Sequence, residues 1–143
     1  MHWYYAHANN TPDLDGDGIP EIVWQAYVGM SPCAVEVESG VLRWDGKGYE
    51  SDGKRYLLAR RAPVGSSITD AFPIHDSSMR PAPGHYQLHV HRDPGVSSVR
   101  VLIDDKAIPD GKALTLKEGC HAYNLRVTGS PGAVAWVFVE ERP

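Results

Sequence analysis

The chain has 143 residues, 42% of them hydrophobic and 22% charged. That is an ordinary globular composition; it excludes a disordered chain and leaves room for one domain with a sizeable core or for two very small ones. Its 14 glycines and 11 prolines exceed the usual combined share of about 12%, which argues against a helical bundle, and a net charge of −4 without a basic run gives no electrostatic footprint for nucleic acid.

From the N-terminus, Trp3, Tyr4 and Tyr5 form an aromatic stretch, followed by an acidic, glycine-rich loop from Asp13 to Glu21. Ile22 to Val28 reads as a strand. Ala34 to Glu38 alternates apolar and polar residues as a half-buried strand does, and Ser39-Gly40 reads as a turn before a further strand, Val41 to Trp44. Asp45 to Gly48 and Ser51 to Lys54 carry turn chemistry, leaving Arg55 to Ala59 as a short strand. Residues 1–62 are thus expected to form a β-meander.

Residues 63–83 hold Pro63, Pro73, Pro81 and Pro83 among serines and glycine, with little periodicity, and read as a linker or irregular connection. The pattern then sharpens over 84–143. Strands are expected around Tyr86–Val90, Val99–Ile103, Leu114–Leu116, Tyr123–Val127 and Val134–Phe138, separated by turns at Asp93-Pro94-Gly95, Pro109-Asp110-Gly111, Glu118-Gly119 and 129–132. The expected fold class is all-β: a short meander followed by a small antiparallel β-sandwich.

Met1 to Tyr4 lacks the basic start and apolar run of a signal peptide, and the longest apolar stretches, such as Ala133 to Val139, fall far short of the roughly 20 residues of a membrane-spanning helix. Cys33 and Cys120 are the only cysteines and show no zinc spacing. Either they form a disulfide that clamps the two segments together, or they are two separate thiols.

The sharpest chemistry is in Asp13-Leu14-Asp15-Gly16-Asp17-Gly18-Ile19-Pro20-Glu21. Carboxylates at loop positions 1, 3, 5 and 9 with glycine at 6 match the first part of a calcium loop, in which side chains at 1, 3 and 5 and the carbonyl at 7, here that of Ile19, converge on one hard cation. Crowding three aspartates together is unfavourable without a counter-ion, and a divalent cation removes that penalty. Position 12 is Trp24 rather than a bidentate glutamate, and the flanks read as strands, so this is not an EF-hand.

At these residues, and at Glu21-Ile22-Val23 and Leu42 to Tyr49, residues 9–50 resemble the calcium loops of FG-GAP and VCBS repeats. The resemblance implies Ca2+ as cofactor, with Asp13, Asp15, Asp17, Ile19 and Glu21 as ligands. It does not imply a whole propeller, because a single copy is present. Residues 84–140 more loosely resemble a PA14-like β-sandwich, in Gly84 to Val90, Val101 to Lys106 and Leu116 to Tyr123. Asp104-Asp105 falls where that family has a hairpin, so no calcium site is transferred to it.

Other groupings carry less. His85, His89 and His91 project from one face of a strand, where a pair spaced i, i+2 can chelate a transition metal with His121 as a partner, or simply line a solvated sheet face. His75, Asp76 and Ser77 are adjacent and point apart, so they make no triad. Trp24, Tyr27, Trp44 and Tyr49 offer either a flat aromatic platform for sugar rings or core packing.

The sequence reading is a non-catalytic, calcium-binding recognition or accessory module, periplasmic or secreted, with a glycan as the ligand class suggested by analogy. The alternative is a structural subunit docking on partner proteins within a larger secreted or membrane-attached assembly. Sugar binding predicts exposed, coplanar aromatics; docking predicts a contiguous apolar patch.

Overall fold

A computed structural model describes residues 4–5 and 11–143. The described residues are all-β and contain no helix: β1 (Tyr4–Tyr5), β2 (Ile22–Met30), β3 (Val35–Trp44), β4 (Tyr49–Ser51), β5 (Tyr56–Pro63), β6 (Ser67–Ile74), β7 (Gly84–Arg92), β8 (Val96–Ile103), β9 (Lys106–Ala107), β10 (Ala113–Leu116), β11 (Gly119–Gly129) and β12 (Val134–Arg142). All pairing is antiparallel. One sheet runs β1-β2-β3-β5-β12-β7-β10, with β4 on β3, and a second runs β6-β11-β8-β9.

Alternation along the strands builds two cores. On β12, Ala135, Val137 and Val139 are fully buried and face the second sheet, meeting Phe72, Val101, Tyr123, Leu125 and Val127 together with Tyr86 and Leu88 of β7. This is the sandwich core. The opposite face of the same strand carries Trp136 and Phe138, which a polar exterior would leave wet. Instead they pack with Ala59 against Val23 and Val41, with Leu14 and Tyr56 at the margin. A residue pair of this size contributes several kcal/mol when withdrawn from water.

Val23 and Val41 reach that face because β3 meets β5 at a single bridge, Ser39↔Tyr56, and then diverges. The β2–β3 hairpin therefore crosses the β5 edge of the sandwich. One end lies over Trp136 and Phe138. The other is fastened to the second sheet by a disulfide between Cys33 and Cys120, beside which Glu36 and His75 meet at 2.5 Å.

The five strands expected over 84–143 are β7, β8, β10, β11 and β12. Two expectations need correction. Ser39-Gly40 is not a turn: β3 runs unbroken through it, with Gly40 opposite Trp24. A Cβ on Gly40 would sit 2.5 Å from the Trp24 indole, so the glycine makes room for a ring on the neighbouring strand. The stretch 63–83 is not an irregular connection throughout, since β6 occupies 67–74 and pairs along its length with β11. Pro73 is tolerated there because β6 is an edge strand, where a missing N–H interrupts no ladder. With β12 paired to β5 on one side and β7 on the other, the segments on either side of 63–83 share one sheet.

Candidate functional site

The acidic loop is closed at its neck by the Glu21 N–H, which donates to the Pro12 carbonyl at 2.9 Å. Inside, each aspartate caps its own stretch of backbone. Asp13 accepts from the Gly16 and Gly18 amides at 3.0 and 2.9 Å, Asp15 from the Asp17 amide at 3.3 Å, and Asp17 from the Ile19 amide at 2.8 Å. Gly16 and Gly18 adopt φ of 74° and 84°, the left-handed region that a side chain disfavours. These two reversals turn Asp13, Asp15 and Asp17 inward.

Glu21 completes the group at the start of β2. Its side chain is 2% exposed, and one carboxylate oxygen accepts from the Leu14 amide at 2.7 Å. Asp13, Asp15, Asp17 and Glu21 each offer an oxygen, and those oxygens lie within 4.8 Å of one another. Ligands at roughly 2.3–2.6 Å from a shared Ca2+ can be at most about 4.6–5.2 Å apart, so the spacing fits one hard cation of that size. Among the described residues this is the one group of three or more metal-ligating side chains so placed.

The electrostatics of the group show what it lacks. Burial pushes the Glu21 carboxyl above its ordinary value, and the Asp15 carboxylate beside it adds to the rise. Asp15 moves the other way: desolvation is the largest single influence and raises it, but hydrogen bonds with Glu21, the Asp17 amide and the neighbouring aspartates together outweigh it and hold it low. Both the rise at Glu21 and the crowding of four carboxyl groups mark a site short of positive charge. One cation is already there. Arg43 Nη1 lies 3.3 Å from both Asp15 and Glu21, a contribution the sequence reading missed because Arg43 comes 22 residues after Glu21 and nothing local marks it.

The four aromatics do not share one surface. Trp24, Trp44 and Tyr49 lie on one face of the β2–β3–β4 sheet, and Tyr27, opposite Val37, lies on the other. Trp44 and Tyr49 meet edge to face at 65°, with ring centroids 5.3 Å apart, so they form no common plane. The Tyr49 hydroxyl donates to the Pro20 carbonyl at 2.9 Å and ties β4 to the end of the acidic loop.

The histidines are likewise dispersed. His89 pairs with Glu140 at 2.9 Å and His91 with Asp93 at 3.4 Å, while His85 bonds Thr115. His121 belongs to the other sheet, where it contacts Asp104 at 2.6 Å and the Lys117 carbonyl at 2.7 Å. No shared metal position results among the described residues. His75 turns to Glu36 and Asp76 to Ser78, so they assemble no triad with Ser77. No described helix is long and apolar enough to cross a membrane. No protein-family model, curated protein or solved structure matches the chain.

Proposed function

We propose that this protein is a non-catalytic, calcium-braced accessory module that works outside the cytoplasm. The observation that carries the reading is the convergence of four carboxylate oxygens from one loop to within 4.8 Å of each other. The resemblance of that loop to FG-GAP and VCBS calcium loops adds to it, with the Ile19 carbonyl as the fifth ligand. The loop sits at the root of β2 and sets a partly buried Leu14 against the margin of the Val23–Val41 cluster. Ion uptake at Asp13–Glu21 therefore stiffens the hairpin that crosses the sandwich edge.

An extracytoplasmic site fits two facts. Modules with weak loops of this kind fill at the roughly 10⁻⁴–10⁻³ M calcium found outside cells, and the Cys33–Cys120 disulfide belongs to oxidising compartments. Titration of the protein with Ca2+ by calorimetry, paired with melting curves in calcium and in chelator, tests the reading. Binding at one site, with a melting temperature raised by roughly 5–10 °C at a hundredfold excess over Kd, is expected. Absence of uptake at millimolar calcium overturns it.

A second reading, a subunit that docks on a partner protein, is favoured by one observation. Tyr27, Met30, Val35 and Val37 are between 42% and 73% exposed and are neighbours across the far end of the β2–β3 hairpin, Tyr27 opposite Val37 and Met30 opposite Val35. Exposed apolar residues grouped in this way mark interaction surfaces.

A further inference from the structure

Beyond the single Ser39–Tyr56 bridge, β3 keeps β2 as its partner but leaves β5, and a cleft of about 750 Å³ lies between them. The Val41 carbonyl points to the open side of β3, where it accepts from the Asp52 amide at 3.0 Å. Alternate residues of a strand turn their N–H and C=O groups to the same side, so Val37 and Val35 present theirs to the cleft that they line. We propose that the edge of β3 over Val35 to Glu38 takes an extended peptide segment of a partner protein as an added strand, one that alternates apolar and basic residues. The inference rests on the docking reading and names the segment that docks. Backbone pairing along an open edge supplies the affinity in such complexes, and alternate side chains supply the choice of partner.

The side chains of β3 define that alternation. Val35 and Val37 are 55% and 42% exposed and share one face, with Met30 across β2 from Val35. The other face carries Glu36 and Glu38. Glu36 meets His75 at 2.5 Å, whereas Glu38 is exposed and in no ion pair among the described residues. Opposed side chains of an antiparallel pair attract when their charges differ and repel when they match. An added strand therefore gains most from apolar residues against Val35 and Val37 and from a lysine or arginine against Glu38. Three of the cations lining the cleft are held by acidic neighbours: Arg60 by Asp70 at 3.7 Å, Arg80 by Glu141, and Lys54 by Glu140 at 3.2 Å. Arg55 adjoins Tyr56, at the end where the two strands close.

A second copy of this chain does not fit the same edge. Two β3 edges meeting antiparallel about a two-fold axis through Val37 or Glu36 set glutamate against glutamate, and an axis between those residues sets valine against glutamate. Charges on an exposed edge discourage pairing with like edges; these discourage a copy and admit a basic strand.

The test is calorimetry of the intact protein, in millimolar calcium, with synthetic peptides of about eight residues, long enough to span the edge. One alternates valine and lysine, a second is the same peptide N-methylated at the valine amides, which face β3 in this pairing, and a third alternates valine and glutamate. The valine–lysine peptide is expected to bind, and the N-methylated one to bind tenfold or more weakly. Glu38→Lys should weaken the valine–lysine peptide about three- to tenfold and admit the valine–glutamate peptide instead, with a melting temperature close to wild type because Glu38 is exposed. No binding at millimolar peptide, or equal binding of the N-methylated form, overturns the proposal. Met30→Asp separates it from the docking reading, since Met30 shares the apolar face but lies on β2. Binding that N-methylation leaves intact and Met30→Asp abolishes removes only the added strand, and binding that neither changes removes both.

Discussion

Arg43 places its guanidinium 3.3 Å from the buried Glu21 carboxylate, so the acidic loop carries a monovalent counter-charge of its own. The same nitrogen reaches Asp15. One guanidinium against four carboxylates leaves repulsion that a divalent ion would relieve more fully, and the two cations compete for the same oxygens. Arg43→Gln is therefore expected to destabilise the ion-free protein by about 1–2 kcal/mol and, in the same variant, to strengthen calcium binding by roughly tenfold. Melting in chelator and calorimetric titration read the two effects separately. A calcium affinity identical to wild type would show that Arg43 does not share the ion's position.

Trp24 and Gly40 face each other across β2 and β3, and the indole fills the space a side chain would take. Gly40→Ala would set a Cβ 2.5–2.6 Å from three atoms of the ring. The ring must then shift, at a cost of about 1–3 kcal/mol, seen as a lower urea midpoint with an unchanged m-value. Because Trp24 lines the cleft, the same change should alter its fluorescence. A variant as stable as wild type, with the same emission, would mean that the indole is not confined by Gly40.

That pair also explains where sequence reasoning went astray. Period-two alternation carried the β-sandwich, because along β7, β8 and β11 the buried residue is every second one and the signal is local, whereas β12 is buried on both faces. Ser39-Gly40 has the chemistry of a turn, yet its glycine answers to Trp24, 16 positions away and on another strand. The β6 strand was hidden by Pro73, whose position is harmless only because β6 is an edge, a fact of topology. The acidic loop was legible because Asp13, Asp15, Asp17 and Glu21 lie within nine residues and two glycines turn them inward. Arg43 was not, since pairing β2 with β3 is what delivers it.

Cys33 and Cys120 are 87 positions apart in sequence, and their bond holds the end of the β2–β3 hairpin to the start of β11. Closing a loop of this length stabilises by about 4.6 kcal/mol in the chain-entropy model, with measured values for disulfides mostly near 2–4 kcal/mol. The double variant Cys33→Ala/Cys120→Ala should lose stability in that range in urea. Calcium uptake should persist, because the Pro12–Glu21 neck and the Val23–Val41 packing lie at the other end of the hairpin. Loss of uptake along with the disulfide would show that the loop depends on the hairpin being pinned at its far end.

Glu140 gives a pH dependence whose sign follows from its neighbours. It is 4% exposed, and burial alone would push its carboxyl up. The hydrogen bonds from His89 and Lys54, with the Lys54 charge, outweigh burial and hold the carboxyl below its ordinary value of 4.5. A carboxyl lowered on folding binds its proton more readily in the unfolded chain, so its contribution is fully present above the ordinary value and is lost as pH falls through the lower, folded one. Glu140→Gln removes the charge while keeping the shape, and should cost about 1–2 kcal/mol near neutral pH, because Lys54 and His89 lose their acceptor. In urea midpoints measured from neutral to strongly acidic pH, the gap between wild type and variant should narrow below the ordinary carboxylate range. A gap that stays constant into acid would assign the contribution of Glu140 to packing rather than to its ionised form.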